Sequence, residues 1–188
     1  DAAVLVAFAL MAVAPLAWLV VRAWDRGGVV TGADGYLVAD PLQYLNWLRQ
    51  AGSHVAAGNL YDLAPGPRSF VHPLVVVSGL LYDLGAGVVV AYYAWLPVAI
   101  LTLFWGTYRL AGRFLARAGD RRIAVVVALF FASPVAAIVG WGHLGGLGTK
   151  FQVDFATGEI WAGSYVWGYI FTAIAVGAMP LGLLAYER

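Results

Sequence analysis

Four apolar runs, each long enough to cross a bilayer as a helix, alternate with polar stretches along this chain. Ala2 to Val21 carries no charged residue. At 1.5 Å per residue it covers about 30 Å of hydrocarbon, longer than the apolar core of a signal peptide. Arg22, Trp24, Asp25 and Arg26 mark its interface, and Gly27, Gly28 and Gly32 end the helical pattern. The pattern predicts spans over about 2–23, 84–108, 123–141 and 160–186. Pro15, Pro97 and Pro134 fall within the first three as candidate kinks.

The longest stretch that lipid cannot cover is Asp34 to Pro73, inside a first loop spanning 24–83. It holds Asp34, Asp40, Asp62, Arg49, Arg68, His54 and His72. Leu42 to Ala51 reads as a short amphipathic helix lying at the headgroup level, over about 41–51. Leu42, Tyr44, Leu45 and Leu48 share its apolar face. Asp40 fits the N-cap, Pro41 the first helical position and Gln43 the capping-box partner. Val71 to Tyr82 is apolar but would reach only about 18 Å as a helix. It reads as a re-entrant or interfacial helix over 71–82, or as the approach to the next span. A second loop, 143–159, begins glycine-rich.

Composition agrees with the pattern. Of 188 residues, 62% are hydrophobic and 11% charged, against about 25% charged in soluble domains. The fold class expected is therefore all-α: a polytopic membrane domain of about four transmembrane helices, with short interfacial helices in the first outer loop. The absence of cysteine excludes disulfides and thiolate chemistry. The net charge of +1 says little, so only the placement of charges informs, and no nucleic-acid partner is expected. Arg109, Arg113, Arg117, Arg121 and Arg122, offset by Asp120, form the most basic stretch. The positive-inside rule puts it in the cytoplasm, and with it the amino end. Both loops, 24–83 and 143–159, then face outward. Ten arginines against one lysine, with much alanine and glycine, point to a GC-rich bacterium and its cytoplasmic membrane. The chain reads as a piece of a longer membrane protein.

Asp40 is the sharpest candidate for chemistry. A carboxylate at a membrane surface can take a proton from an acceptor hydroxyl or help hold a divalent cation; it can also simply cap the helix behind it. Asp34 and Asp62 occupy turn sequences in which aspartate is common for backbone reasons. Arg68 and His72 flank Phe70 where the chain re-enters lipid, placed to hold a lipid phosphate or merely to contact headgroups. Lys150, Asp154 and Glu159 are the charges of the second loop. Its glycines, with no preceding strand, do not form a nucleotide-binding pattern. Trp105, Trp161, Trp167 and Tyr169 read as belt and packing residues.

The order of these parts resembles the amino-terminal module of the GT-C superfamily of polytopic glycosyltransferases. The segment ADPLQYLNWLRQAG is similar to that family's first-loop aspartate motif, including its Asp-Pro-x-x-Tyr form, and Phe70-Val71-His72-Pro73-Leu74 resembles its entry into the second span. The likeness is strongest over Val21 to Arg117. It implies a membrane glycosyltransferase that takes a sugar from a polyprenyl-phosphate donor to a glycan, lipid or protein acceptor at the outer face. Asp40 would be catalytic, Asp154, Glu159 and Asp34 a second acidic site, and Arg68, His72 and Lys150 the donor-phosphate ligands. Asp40 and Asp154 would hold Mg²⁺ or Mn²⁺ if a metal is used, although QVDFATGE lacks the paired Asp-x-Asp of that motif. The alternative from another class is a non-catalytic membrane subunit or transporter-like helical bundle. Apart from Arg22 at an interface the spans carry no charge, which argues against an ion pathway.

Overall fold

A computed structural model describes residues 1–33, 39–59, 66–130 and 162–187. Among them the chain is helical, with one isolated antiparallel bridge between Ala57 and Phe70. The helices are α1 (Ala2–Asp25), α2 (Ala39–His54), α3 (Pro73–Asp83), α4 (Val88–Tyr93), α5 (Leu96–Phe114), α6 (Ala118–Phe130) and α7 (Ile170–Tyr186). A 3-10 turn, Ala162–Val166, precedes the last. Two segments are long and apolar enough to cross a membrane, Ala2–Asp25 and Val88–Phe114; α3 and α7 are apolar but shorter.

α1 buries only Phe8 and Ala12, while Leu10, Trp18 and Val21 are each more than half exposed. Water tolerates such an apolar face poorly, whereas a helix bathed in lipid presents this pattern. Its end follows the expected chemistry. Gly27 takes φ +63, and the N–H groups of Gly27 and Gly28 donate to the carbonyls of Trp24 and Ala23, satisfying two terminal acceptors.

The expected span 84–108 is broken. α4 stops at Tyr93, and α5 restarts at Leu96 with Pro97 in its first turn, where a missing N–H costs nothing. The break is pinned from α3: Trp95 Nε1 donates to the buried Ser78 Oγ at 2.7 Å. The expected span 160–186 is likewise shortened, because Gly168 at φ +128 separates the 3-10 turn from the 17-residue α7. Of the expected span 123–141, α6 covers the part up to Phe130, and the remainder lies outside the described residues.

Two glycine pairs set the closest helix crossings. A Cβ placed on Gly52 of α2 would lie 2.8 Å from the Gly79 carbonyl oxygen of α3, and one on Gly79 would lie 2.6 Å from the Gly52 nitrogen. Gly106 of α5 and Gly177 of α7 meet backbone to backbone in the same way. Small residues let helices approach closely where packing between them, rather than hydrophobic driving force, must hold them.

Contacts at the helix ends give the directions. Tyr92, just before α5, meets Ile170 at the start of α7, and Arg113 at the end of α5 meets Glu187 at the end of α7. These two helices therefore run parallel. Asp1 meets Tyr108 and Arg122, and the Met11 carbonyl meets Trp167, so α1 runs the opposite way. One end of the bundle thus gathers Asp1, the Arg109–Arg122 stretch and Glu187. The other gathers α2, His72 and the start of α7. Phe8, Leu48, Val75, Leu103, Leu129 and Ile170 fill the core between them.

Candidate functional site

The site is built where α2 meets the start of α7. Asp40 lies within the first turn of α2 rather than at its N-cap, so the capping role expected for it is replaced by a tertiary one. Its Oδ2 accepts a hydrogen bond of 2.9 Å from the Tyr169 hydroxyl, 129 residues away in sequence, and the carboxylate is half-buried. The buried face of α2 is also displaced from the one expected. Pro41, Leu45, Leu48 and Ala51 point inward, whereas Leu42 is 51% exposed. These four recur at helical spacing, and Leu42 falls at the edge of the stripe they define.

Asp40, Tyr44 and Trp47 follow one another at i, i+4 and i+7 and so share one side of α2. Tyr44 stacks on Tyr92 with centroids 5.8 Å apart and meets Phe171 edge-on at 5.8 Å. Trp47 packs on Phe70 at 4.3 Å, and His72 lies between Phe70 (6.3 Å) and Phe171 (5.9 Å) in roughly parallel planes. The bridge between Ala57 and Phe70, with N···O distances of 2.9 and 3.0 Å, holds Phe70 beside α2. Gln50 Oε1 closes the same loop by accepting from the Gly58 N–H at 2.7 Å.

Between these rings lies a cleft of about 290 Å³, lined by Tyr44, Trp47, Phe70, His72 and Phe171, with Thr172 at its side. That is the small end of the range for small-molecule sites, roughly 300–1,000 Å³. Two polar atoms of its lining residues, Trp47 Nε1 and His72 Nδ1, are buried away from the open space, with no hydrogen-bond partner among the described residues. Buried polar atoms are normally paired. The cleft itself presents chiefly ring faces, and is shaped for a ligand with faces that stack on them.

The start of α7 is fixed from below by Tyr92, whose buried hydroxyl donates to the Gly168 carbonyl at 2.7 Å and accepts from the Ile170 N–H at 3.3 Å. Tyr92→Phe keeps the ring but strands both backbone groups. It is expected to lower stability by about 1–3 kcal/mol, measured by thermal unfolding in detergent, and to loosen the turn that carries Tyr169.

Of the residues singled out in the sequence, His72 enters the cleft and Asp40 stands one helical turn before its first wall residue. Arg68 is exposed and does not line the cleft. Asp34, Lys150, Asp154 and Glu159 lie outside the described residues. Among the described residues no three metal-ligating side chains converge, and Asp154, the expected partner of Asp40 in holding a metal, lies outside them. Sequence reasoning missed Tyr44, Trp47, Tyr169 and Phe171 as site residues. The helical spacing of Asp40, Tyr44 and Trp47 was a usable signal; nothing local marked the other two. Comparison of the chain with protein-family models, curated proteins and solved structures returns no match.

Proposed function

We propose that this chain is the amino-terminal part of a membrane glycosyltransferase, built as a four-pass helical domain in a bacterial cytoplasmic membrane. It takes a sugar from a polyprenyl-phosphate donor at the outer face. The observation that carries this reading is the half-buried Asp40 carboxylate standing one helical turn from an aromatic cleft lined by Tyr44, Trp47, Phe70, His72 and Phe171. The parallel run of α5 and α7 with α1 opposed to both supports the four passes, and the clustering of arginines at the far end supports the orientation.

The acceptor hydroxyl is oriented and deprotonated by Asp40. Its oxygen attacks the anomeric carbon as the bond from that carbon to the phosphate oxygen breaks. The electron pair leaves with the polyprenyl phosphate, the proton stays on Asp40, and the configuration inverts. His72 and Trp47 line the cleft that would receive the donor, and the surrounding rings exclude water and strengthen the polar contacts made there. Arg68, Lys150 and the second acidic group of Asp34, Asp154 and Glu159 remain the outer contributors that the resemblance implies.

The test is transfer from a polyprenyl-phosphate sugar by the purified full-length protein, with release of polyprenyl phosphate as the readout. Release that depends on acceptor and on Asp40 supports the reading. A folded protein that binds donor and acceptor preparations without turnover would leave a non-catalytic subunit in its place.

A further inference from the structure

The far end of the bundle carries a second hollow, of about 470 Å³, among Tyr108, Arg109, Gly112, Arg113, Arg121 and Glu187. Its charges do not balance: three guanidinium groups face one carboxylate, a local excess of 3 − 1 = +2. Glu187 is occupied by Arg113, with Nε 3.0 Å from Oε2, in an exposed pair. Arg121 is held over the Tyr108 ring, its Cζ 5.6 Å from the centroid, and its Nε is buried without a partner among the described residues. Arg109 rests over Trp105 at 5.8 Å. Gly112 lies beside Arg121 without a side chain: a Cβ there would stand 3.6 Å from its Cδ and one terminal nitrogen.

Guanidinium groups lining a hollow, one of them with a terminal nitrogen beside the bare backbone of Gly112, offer planar forks of N–H donors that match phosphate oxygens. We propose that this hollow binds a phosphate group, with Arg109 and Arg121 as its ligands and the bare backbone at Gly112 as its floor. The phosphate belongs either to the headgroup of an anionic lipid or to a soluble molecule; both offer the same oxygens. Glu187 tethers Arg113 and keeps a carboxylate at the rim, so the site selects a group able to make several hydrogen bonds over a lone halide. The hollow is independent of the cleft at Asp40: Tyr169 and Glu187 are separated by the length of α7, about 27 Å at 1.5 Å per residue.

The experiment uses the full-length protein in mild detergent. Retained lipid is read by native mass spectrometry after addition of phosphatidylglycerol or phosphatidylcholine, and inorganic phosphate is titrated against thermal unfolding. Preferential retention of phosphatidylglycerol is expected, reduced at least tenfold in the double variant Arg109→Gln/Arg121→Gln. Gly112→Leu keeps every charge while filling the hollow, so it should do the same, and unchanged circular dichroism excludes misfolding. Arg22→Gln serves as the control, since Arg22 also lies over a tryptophan (Trp18, 5.0 Å) but at the other end of α1. Phosphatidylglycerol that inorganic phosphate does not displace assigns the site to lipid. Stabilisation by inorganic phosphate that is lost in the same variants, without lipid retention, assigns it to a soluble phosphate. Equal retention of both lipids, retention at the wild-type level in both variants, or no response to either probe overturns the proposal.

Discussion

Gly177→Leu is expected to yield no stably folded protein in detergent, the largest effect of any single substitution outside the chemistry. At the crossing of α5 and α7, a Cβ on Gly177 would collide with the backbone of Thr102 and Leu103, and one on Gly106 would collide with the Gly177 carbonyl. Overpacking against side chains costs typically 1–3 kcal/mol because rotamers can give. Here the obstacles are backbone atoms inside two helices, so relief requires the helices to part along Leu103, Phe104 and Ala173, all buried. The expected loss is therefore above about 3 kcal/mol, a large share of the 5–15 kcal/mol that holds a domain together. Gly177→Ala already introduces the collision and should lower the unfolding temperature measurably. Gly182→Leu is the matched control: it lies one turn further along α7 with open space where its side chain would go. Equal unfolding temperatures for the Gly177 and Gly182 variants would mean that the crossing is not formed in solution.

That crossing also shows where the sequence stops being readable. Hydropathy placed α1 and the apolar part of α5 because a run of side chains that lipid accepts is a local property. The arginine stretch was legible for the same reason, and Arg109, Arg113 and Arg121 do meet around one hollow. The pairing of Gly106 with Gly177 was not legible, since a glycine in a membrane helix is ordinary and its partner lies 71 positions further on. The broken helices were half legible. Pro97 pointed to an interruption, but the chain breaks ahead of it, at Ala94 and Trp95, where Trp95 can reach Ser78. Gly168 gave no local warning, because its positive φ answers to a tertiary demand: its carbonyl must meet the Tyr92 hydroxyl.

At the site the same division holds. Asp40 stood out by its place ahead of a helix, and the chain does put it at a helix start. Its hydroxyl partner comes from the far end of the sequence, where Tyr169 read as a belt residue; aromatic residues at a membrane boundary carry no mark of which few will turn inward. The aromatic cleft arises only once α2, the Phe70–His72 strap and α7 are brought together, so no spacing along any one of them announces it.

Asp40→Asn is expected to lower the turnover of the proposed transferase by about 10²- to 10⁴-fold, the usual contribution of a positioned proton acceptor, or roughly 3–5.5 kcal/mol of barrier. The substitution is nearly isosteric, and the amide oxygen can still accept from the Tyr169 hydroxyl at the position of Oδ2. The fold and its unfolding temperature should therefore hold while turnover falls. Asp25→Asn, at the exposed end of α1, should leave turnover unchanged. Tyr169→Phe separates proton acceptance from positioning. It leaves the carboxylate in place but frees it to rotate away, so kcat is expected to drop by about tenfold, a loss near 1.4 kcal/mol, with the KM for the donor little changed. A purely structural Tyr169 would instead lower the unfolding temperature and the active fraction together, leaving kcat per folded molecule intact. If the Asp40→Asn protein is folded and transfers sugar at the wild-type rate, Asp40 is an anchor for Tyr169 and the proton acceptor must be sought elsewhere in the chain.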